Sequence, residues 1–368
     1  MFKIPQADLR AQYETIKDDI LPALQDVCES TQFVRGKYAK AFEEAFAKYC
    51  HTEYAVGVGN GTDALYLTLL ALGIGAGDEV ITSPFTFTAT GEAIYWTGAK
   101  VIFADISPVN YTIDVTQIED KITDKTKAII PVHLYGHPAD MDAIVGIAKK
   151  HDLKIVEDAA QAHGAFYRGR RVGSFGHAAC FSFYPGKNLG AYGDAGGVVT
   201  NDVKIAENVR KLGDHGSSKK YHNDMMGFNS RLDGMQAAVL SIKLKHLDAW
   251  NHRRREITRF YNAAFQDVAG IEAPQESEWA QSVYHLYVVQ VDDRDAVKQK
   301  LNDAGIGAAI HYPTPLHLLE AYEFMRLGRG SFPVAERAGD RVMSLPNYPE
   351  MTDEMLDYVV EKVKEVVG

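Results

Sequence analysis

The feature that most constrains this chain is an alternation. Between Tyr54 and Asp202, short apolar runs take turns with stretches of helical period. YAVGVGN (54–60), EVITS (79–83), KVIFADI (100–106), KAIIPVHLY (127–135), KIVED (154–158), HAACFSFY (177–184) and GGVVTND (196–202) read as strands. Residues 62–72, 87–97, 114–122 and 140–151 read as helices between them. Short apolar strands alternating with helices indicate an α/β layer whose mostly parallel sheet is sandwiched by helices. The character changes after about residue 230. A long helical stretch (231–265) leads out of the sheet. SVYHLYVVQV (282–291) then alternates like a strand with one covered face, AVKQKLNDAGI is helical, GAAIHY (307–312) reads as a strand, and the end is helical. The pattern predicts a large α/β domain over residues 1–245 and a small C-terminal α+β domain over 246–368.

Length supports two units, because 368 residues exceed what one small core organises. Composition is that of a soluble globular chain, 46% hydrophobic and 24% charged. A formal net charge of −10 argues against nucleic acid or an anionic membrane as the main partner, yet leaves room for a local basic pocket. Cys28, Cys50 and Cys180 are scattered and make neither a disulfide framework nor a metal motif. The first twenty residues lack the apolar core of a signal peptide, and no apolar run approaches the ~18 residues of a membrane span. These features predict a cytoplasmic protein.

Ligands of open parallel sheets sit at the carboxyl ends of strands, and three segments there carry chemistry. GNGTDAL (59–65) joins a strand to a helix. Its glycines and free helix-start amides suit a phosphate, although an ordinary strand–helix turn has the same look. It is neither a dinucleotide fingerprint nor a Walker loop. VEDAAQAHGA (156–165) ends a strand on Asp158, either a helix cap or a carboxylate facing a ligand's cationic nitrogen, with Gln161 three residues on. FSFYPGKNLGAYGDAGG (181–197) holds Lys187 among aromatic and small residues. A lysine there is either a surface loop residue or a partly desolvated, nucleophilic amine. Taken together, the three segments match an aldehyde (Lys187), a ring nitrogen (Asp158) and a phosphate (Gly61, Thr62, Ser182). Those are the three needs of pyridoxal 5'-phosphate.

The chain also resembles the DegT/DnrJ/EryC1/StrS family of sugar aminotransferases, which have the type I aminotransferase fold. The resemblance runs through IPQADLRAQY, GNGTDAL, SPFTFTAT, PVHLYGHPADMD, VEDAAQAHGA, FSFYPGKNLGAYGDAGG, GFNSRLDGMQAAVL and HYPTPLH. It implies that Lys187 forms the covalent link to pyridoxal phosphate and later moves the proton. Asp158 would pair with the pyridine nitrogen, Gln161 would lie near the ring hydroxyl, and Phe87 would stack on the ring face instead of serving as a core aromatic. Gly61, Thr62 and Ser182 would hold the phosphate. Asn229 resembles the residue that reaches the phosphate from a neighbouring subunit, which implies a homodimer with shared sites. Tyr184, His311, Tyr312 and His317 are expected to face substrate. The implied reaction converts a nucleotide-linked keto-sugar, at C3 in preference to C4, into the amino sugar with glutamate as donor. A cyclitol aminotransferase and a non-catalytic sensor of the cofactor or of a sugar nucleotide are the alternatives.

Other features have blander readings beside sharper ones. His133 and His137 have an H-x₃-H spacing with no third ligand in sight. His163 either lines the pocket or is structural. HRRRE (252–256) is either a solvated helix face with internal pairs or an attractor of a diphosphate. GDHGSSKKYHNDMM (213–226) reads as a polar flap.

Overall fold

The structure, a computed structural model, describes residues 3–367. Seven strands build the central sheet: β1 (Tyr54–Val58), β2 (Glu79–Thr82), β3 (Lys100–Phe103), β4 (Thr126–Ile129), β5 (Lys154–Asp158), β6 (Ala178–Ser182) and β7 (Gly196–Thr200). Their spatial order is β1-β7-β6-β5-β4-β2-β3. The run from β6 to β3 is parallel, and β7 alone lies antiparallel to its neighbours β6 and β1. Registers at one edge position the site. Asp158 pairs with Cys180, and Ser182 and Val58 both pair with Gly196. The loops after β1, β5 and β6 therefore leave the sheet side by side.

Helices cover both faces: α1 (Leu9–Ser30), α2 (Gly36–Tyr49), α3 (Gly61–Ala71), α4 (Ala89–Trp96), α5 (Met141–Lys150), α6 (Val203–Leu212) and α7 (Gly234–Leu244). Local chemistry sets several starts. Asn60, Asp140 and Asp202 each accept a backbone N–H at the first turn of α3, α5 and α6. The face of α3 that meets the sheet buries Ala64, Leu65, Leu67 and Leu69 in one cluster with Val56, Val58 and Val198. Ile16 and Ile20 of α1 pack on Val239 and Ile242 of α7.

After α7 come α8 (Leu247–Phe265), α9 (Arg294–Asp303), α10 (Pro333–Arg341) and α11 (Asp353–Val367), with a second antiparallel sheet of β8 (Ile271–Glu272), β9 (Tyr287–Val291) and β10 (Val342–Leu345), β9 in the middle. Tyr261, Phe265, Val289, Leu301, Val359 and Val363 form its core. We place the division of the chain at residues 245–246, where α7 gives way to α8. The segment before α10 returns to the first sheet. Phe332, Ala335 and Ala338 join the large cluster with Phe103, and Asp105 accepts the Val334 and Ala335 amides at 3.0 and 2.9 Å.

Several expected elements differ. Residues 114–122 form two 3₁₀ turns, Val115–Gln117 and Glu119–Lys121, in place of a helix. The Asp114 carboxylate takes the Thr116 amide and hydroxyl and the Gln117 amide group, a local alternative to helix bonding. GAAIHY is not a strand: it meets the second sheet at the Ala309–Ser344 bridge and through His311 Nδ1 against Ser344 Oγ at 2.8 Å, and the Gly307 and Ala308 amides donate to Ile4 and Asn302. The strand of 127–135 stops at Ile129, and a 3₁₀ turn follows at Leu134–Gly136. The strand of 282–291 begins only at Tyr287, because the Val283 and Leu286 amides donate to Gly136 and Tyr135. The helical stretch 231–265 is two helices, α7 and α8. The polar 213–226 segment carries a small exposed hairpin, Ser217–Lys219 with His222–Asn223. Among the described residues no helix is long and apolar enough to cross a membrane.

Candidate active site

The site begins with β5 and β6 ending together. Asp158, the last residue of β5, is buried. Its Oδ2 accepts from the Thr90 hydroxyl at 2.8 Å and its Oδ1 from the Ala160 amide at 3.2 Å. Burial pushes its carboxyl up from the ordinary value, against the pull of those two hydrogen bonds and of Lys187. Thr90, on α4, carries no signal of its own in the sequence, although it lies in the SPFTFTAT motif.

Lys187 stands on the loop after β6, and the loop folds back on itself: the Lys187 amide donates to the Tyr184 carbonyl at 2.8 Å and the Ala191 amide to the Phe183 carbonyl at 2.7 Å. Lys187 keeps some solvent contact, yet protein encloses its amine closely enough for desolvation to dominate. Desolvation lowers it to about 8, with Asp158 the one charge that opposes the shift. His163, His285 and His311 gather around it. Burial first and Lys187 second push His163 down to about 3 and His311 to about 4, and they hold His285 well below its usual value. Neutral imidazoles add no second cation to the field at the amine.

Gln161 is buried and fixed at both ends. Its Oε1 accepts the Tyr135 amide at 2.7 Å and its Nε2 donates to the Tyr312 hydroxyl at 3.0 Å. Tyr135 in turn donates its hydroxyl to the His311 carbonyl. HYPTPLH is thereby tied to the floor of the site through Tyr135 and Gln161, two residues whose spacing in sequence gives no hint of the contact. Phe87 is 55% exposed, with its ring centroid 6.0 Å from that of Tyr312. Phe85 of the same motif is the core aromatic, fully buried. Tyr184, beside the lysine loop, is exposed.

The third corner is the start of α3. Asn60 caps it by accepting the Asp63 amide at 2.8 Å, and its carbonyl takes the Ala64 amide. The Gly61 and Thr62 amides, first in the helix, have no intrahelical acceptor and carry the positive end of the helix dipole. Ser182 lies against them: a Cβ built on Gly61 would stand 2.6 Å from the Ser182 Cβ. Gly196 on β7 completes the close approach, since a Cβ there would meet the Asn60 carbonyl oxygen at 2.2 Å. An open N-terminal cradle, a desolvated amine and a buried carboxylate with room for one more donor fit pyridoxal phosphate.

The model of the DegT/DnrJ/EryC1/StrS aminotransferase family matches residues 14–364. The chain belongs to that family. Among its relatives, the erythromycin biosynthesis sensory transduction protein EryC1 of Saccharopolyspora erythraea is 48% identical over 98% of this chain and 99% of its own. The dTDP-3-amino-3,4,6-trideoxy-alpha-D-glucose transaminase of Streptomyces venezuelae is 45% identical over 99% of this chain and 96% of its own. The crystal structure of DesV from S. venezuelae in complex with a ketimine intermediate superposes with a TM-score of 0.97 at 45% identity, covering 99% of this chain and 98% of that one. As a DegT-family member the chain is a sugar aminotransferase that uses pyridoxal phosphate.

One expected substrate residue stands elsewhere. His317 does not project from its turn. It is buried, its Nε2 bonds Glu336 Oε1 at 3.0 Å, and its ring meets Phe332 edge-on at 4.8 Å. Its Nδ1 has no hydrogen-bond partner, so the Glu336 bond and the Phe332 contact hold the ring, and His317 thus anchors α10. Asn229 is exposed and lines a cavity of about 430 Å³ with Tyr66, Trp96 and Phe228 on the outer side of α3. Its neighbour Ser230 accepts the Gly59 amide at 2.9 Å and donates to Asp63 Oδ2 at 2.6 Å, beside the start of α3.

Of the remaining features, the histidine pair is structural. His133 is buried, accepts the Ala139 amide on Nδ1 at 3.0 Å and so donates from Nε2 to Glu157 at 3.1 Å. Glu157, fully buried behind Asp158, also takes the Gly173, Phe175 and Gly176 amides at 2.7–2.8 Å. Burial alone would push its carboxyl up, but His133 and the amides outweigh that and hold it below its usual value. Its stabilising effect is therefore full above about pH 4.5 and fades as pH falls through the lower folded value. Glu157→Gln replaces an acceptor with a donor facing amides. The expected loss is about 2–3 kcal/mol of unfolding free energy at pH 7, read by denaturant titration, with a smaller gap from wild type at acid pH. The HRRRE arginines are committed internally: Arg253 to Glu256 and Asp353, Arg254 to the Asn347 carbonyl, and Arg255 to Glu276.

Proposed function

We propose that this aminotransferase acts on a nucleotide-linked keto-sugar, at C3 in preference to C4, with glutamate as amino donor. The observation that carries the chemistry is the lone amine of Lys187, desolvated to about 8 and faced by a single carboxylate, Asp158. The S. venezuelae relative's name, a dTDP-3-amino-sugar transaminase, supports the nucleotide and the C3 position. Bound pyridoxal phosphate supplies an electron sink for the carbanion formed at the substrate carbon.

The protein's share is positioning and proton transfer. Gly61, Thr62 and Ser182 would hold the phosphate end, Phe87 would cover a ring face, and Gln161 would meet the ring hydroxyl. Asp158 would keep the ring nitrogen protonated, because a buried carboxylate favours a cationic partner. Lys187, uncharged in a substantial fraction near pH 8, would bind the aldehyde and, once released from it, would take a proton from the substrate carbon on its Nζ and return it to the cofactor, the reverse transfer serving the sugar. Tyr184, His311 and Tyr312 border the space left for the sugar.

The exposure of Asn229 supports a homodimer in which it reaches the partner's phosphate. Asn229→Ala is expected to weaken cofactor retention several-fold in equilibrium dialysis while the dimer persists in sedimentation. Unchanged cofactor affinity would refute that placement.

The deciding measurement is the visible spectrum of protein loaded with pyridoxal phosphate, before and after glutamate. Bleaching of the long-wavelength band supports glutamate; bleaching only by glutamine points to another donor. Turnover of 3-keto against 4-keto dTDP-sugars and against a cyclitol ketone then assigns the acceptor. A purely sensory protein, the sense of the Saccharopolyspora relative's name, has no use for a desolvated amine opposite a ring-nitrogen acid, and turnover of any donor excludes it.

A further inference from the structure

The Lys187 loop has a seat as well as a shape. The hydrogen bonds that fold it run within the loop, from Lys187 to Tyr184 and from Ala191 to Phe183. They fix its curvature but not where it stands relative to Asp158, which leaves the sheet on the neighbouring strand. The next residue supplies the seat. Asn188 is 3% exposed, and its Nδ2 donates to Asn251 Oδ1 on α8 at 2.9 Å and to the Val283 carbonyl at 3.1 Å. Its Oδ1 faces His285 Nδ1 at 3.2 Å. With both Nδ2 protons committed, Asn188 Oδ1 is the acceptor, so His285 donates from Nδ1. Asn251, itself 6% exposed, turns its Nδ2 to the His163 carbonyl at 2.8 Å. His163 lies on the loop that begins at Asp158 and holds Gln161.

The path is continuous: Lys187 loop, Asn188, Asn251, His163 carbonyl, Asp158 loop. It crosses 63 residues of sequence at one step and 88 at the next. Val283 is itself tied by its amide to the Gly136 carbonyl, next to the Tyr135 amide that holds Gln161. We propose that Asn188 and Asn251 are positioning residues, a buried two-amide brace that sets the distance between Lys187 and the loop carrying Asp158 and Gln161. Two buried amides whose donors and acceptors interlock in one direction specify a single arrangement, where an apolar contact would tolerate sliding.

The proposal rests on Lys187 being the reacting amine, and the experiment separates the two. Asn188→Leu and Asn251→Leu keep the size of the side chain and remove its hydrogen bonds. Each single variant and the double variant is loaded with pyridoxal phosphate and compared with wild type for kcat, KM, thermal midpoint and the pH titration of the visible absorbance band. A wild-type band that responds to no amino donor overturns the reading of Lys187 itself. Given a responding wild type, the brace predicts a fall in kcat of about 10²-fold, the cost of misplacing a reacting group by about 1 Å. KM should change little, and the titration midpoint of the band should shift. The double variant should be no worse than the worse single one, because one path is cut once. Folded variants with wild-type kcat and an unmoved titration midpoint overturn the proposal, as does a double variant whose losses multiply. If Asn188→Leu fails to fold, Asn251→Ala, whose change lies on α8 outside the loop, carries the same test. A lowered thermal midpoint alone, with kcat and titration unchanged, assigns the amides to stability and likewise overturns it.

Discussion

Lys187→Ala is expected to abolish transamination while the protein stays folded. Among the described residues, Lys187 is the primary amine that acts on Asp158. The neighbours that share the amine's surroundings, His163, His285 and His311, are neutral imidazoles that cannot form the link to an aldehyde carbon. The loss should reach the background of the assay, at least about 10⁴-fold, since nucleophile and proton carrier disappear together. The fold should not suffer. Lysine on a loop contributes little packing, and its amine is held in a desolvated place where the charged form is disfavoured. The pH dependence of stability checks this. The folded value of about 8 lies below the unfolded 10.5, so the unfolded chain binds more protons between those values. Wild-type stability therefore gains with rising pH across that window, and cofactor-free Lys187→Ala should lose that gain. Its thermal midpoint near pH 7 should equal or exceed that of cofactor-free wild type. Residual turnover in the variant would refute the assignment of Lys187.

Asp158→Asn is the second large effect. Asparagine keeps the shape and leaves Oδ1 able to accept from Ala160 or Thr90, so secondary structure around β5 should persist. Among the described residues it removes the one negative charge that raises Lys187, and with it the proposed partner of the ring nitrogen. Deleting one preorganised charge from such a site costs about 10²–10³ in kcat. Two further readouts separate an electrostatic role from a cap. The amine of Lys187 loses the single charge that raises it, so its titration should move to lower pH. A cofactor analogue whose ring nitrogen carries a permanent positive charge should recover part of the lost rate. A variant with wild-type kcat would make Asp158 a helix cap and nothing more.

Much of the site was legible because its residue types are unusual for where they stand. A lysine among aromatics and glycines, an aspartate ending an apolar strand and a Gly-Thr pair opening a helix each violate what a plain sheet protein needs at that point. What stayed illegible were partners with ordinary local reasons to exist. Thr90 looks like any helix threonine. Asn188 looks like a loop asparagine, and Tyr135 like the end of a strand. His317 looked exposed because prolines precede it; Phe332 and Glu336, the latter 19 residues on, draw it into a core. Residues 114–122 looked helical by spacing, and a single aspartate's side-chain bonds turned them into 3₁₀ turns.

The sequence alone determined the layer order, the chemical kinds of group at the strand ends and the family. Each depends on periodicity and residue identity within a window of ten or so positions, where local sterics and burial act. Tertiary structure decided which of those groups meet. Val58, Gly196 and Ser182 share a register only because β7 inserts antiparallel between β1 and β6. Asn188 reaches Asn251, and Asn251 reaches His163, only because α8 crosses beneath both loops. Contacts between residues so far apart follow from how whole elements pack. That packing is selected by the summed burial of many side chains, and no short stretch of sequence encodes it.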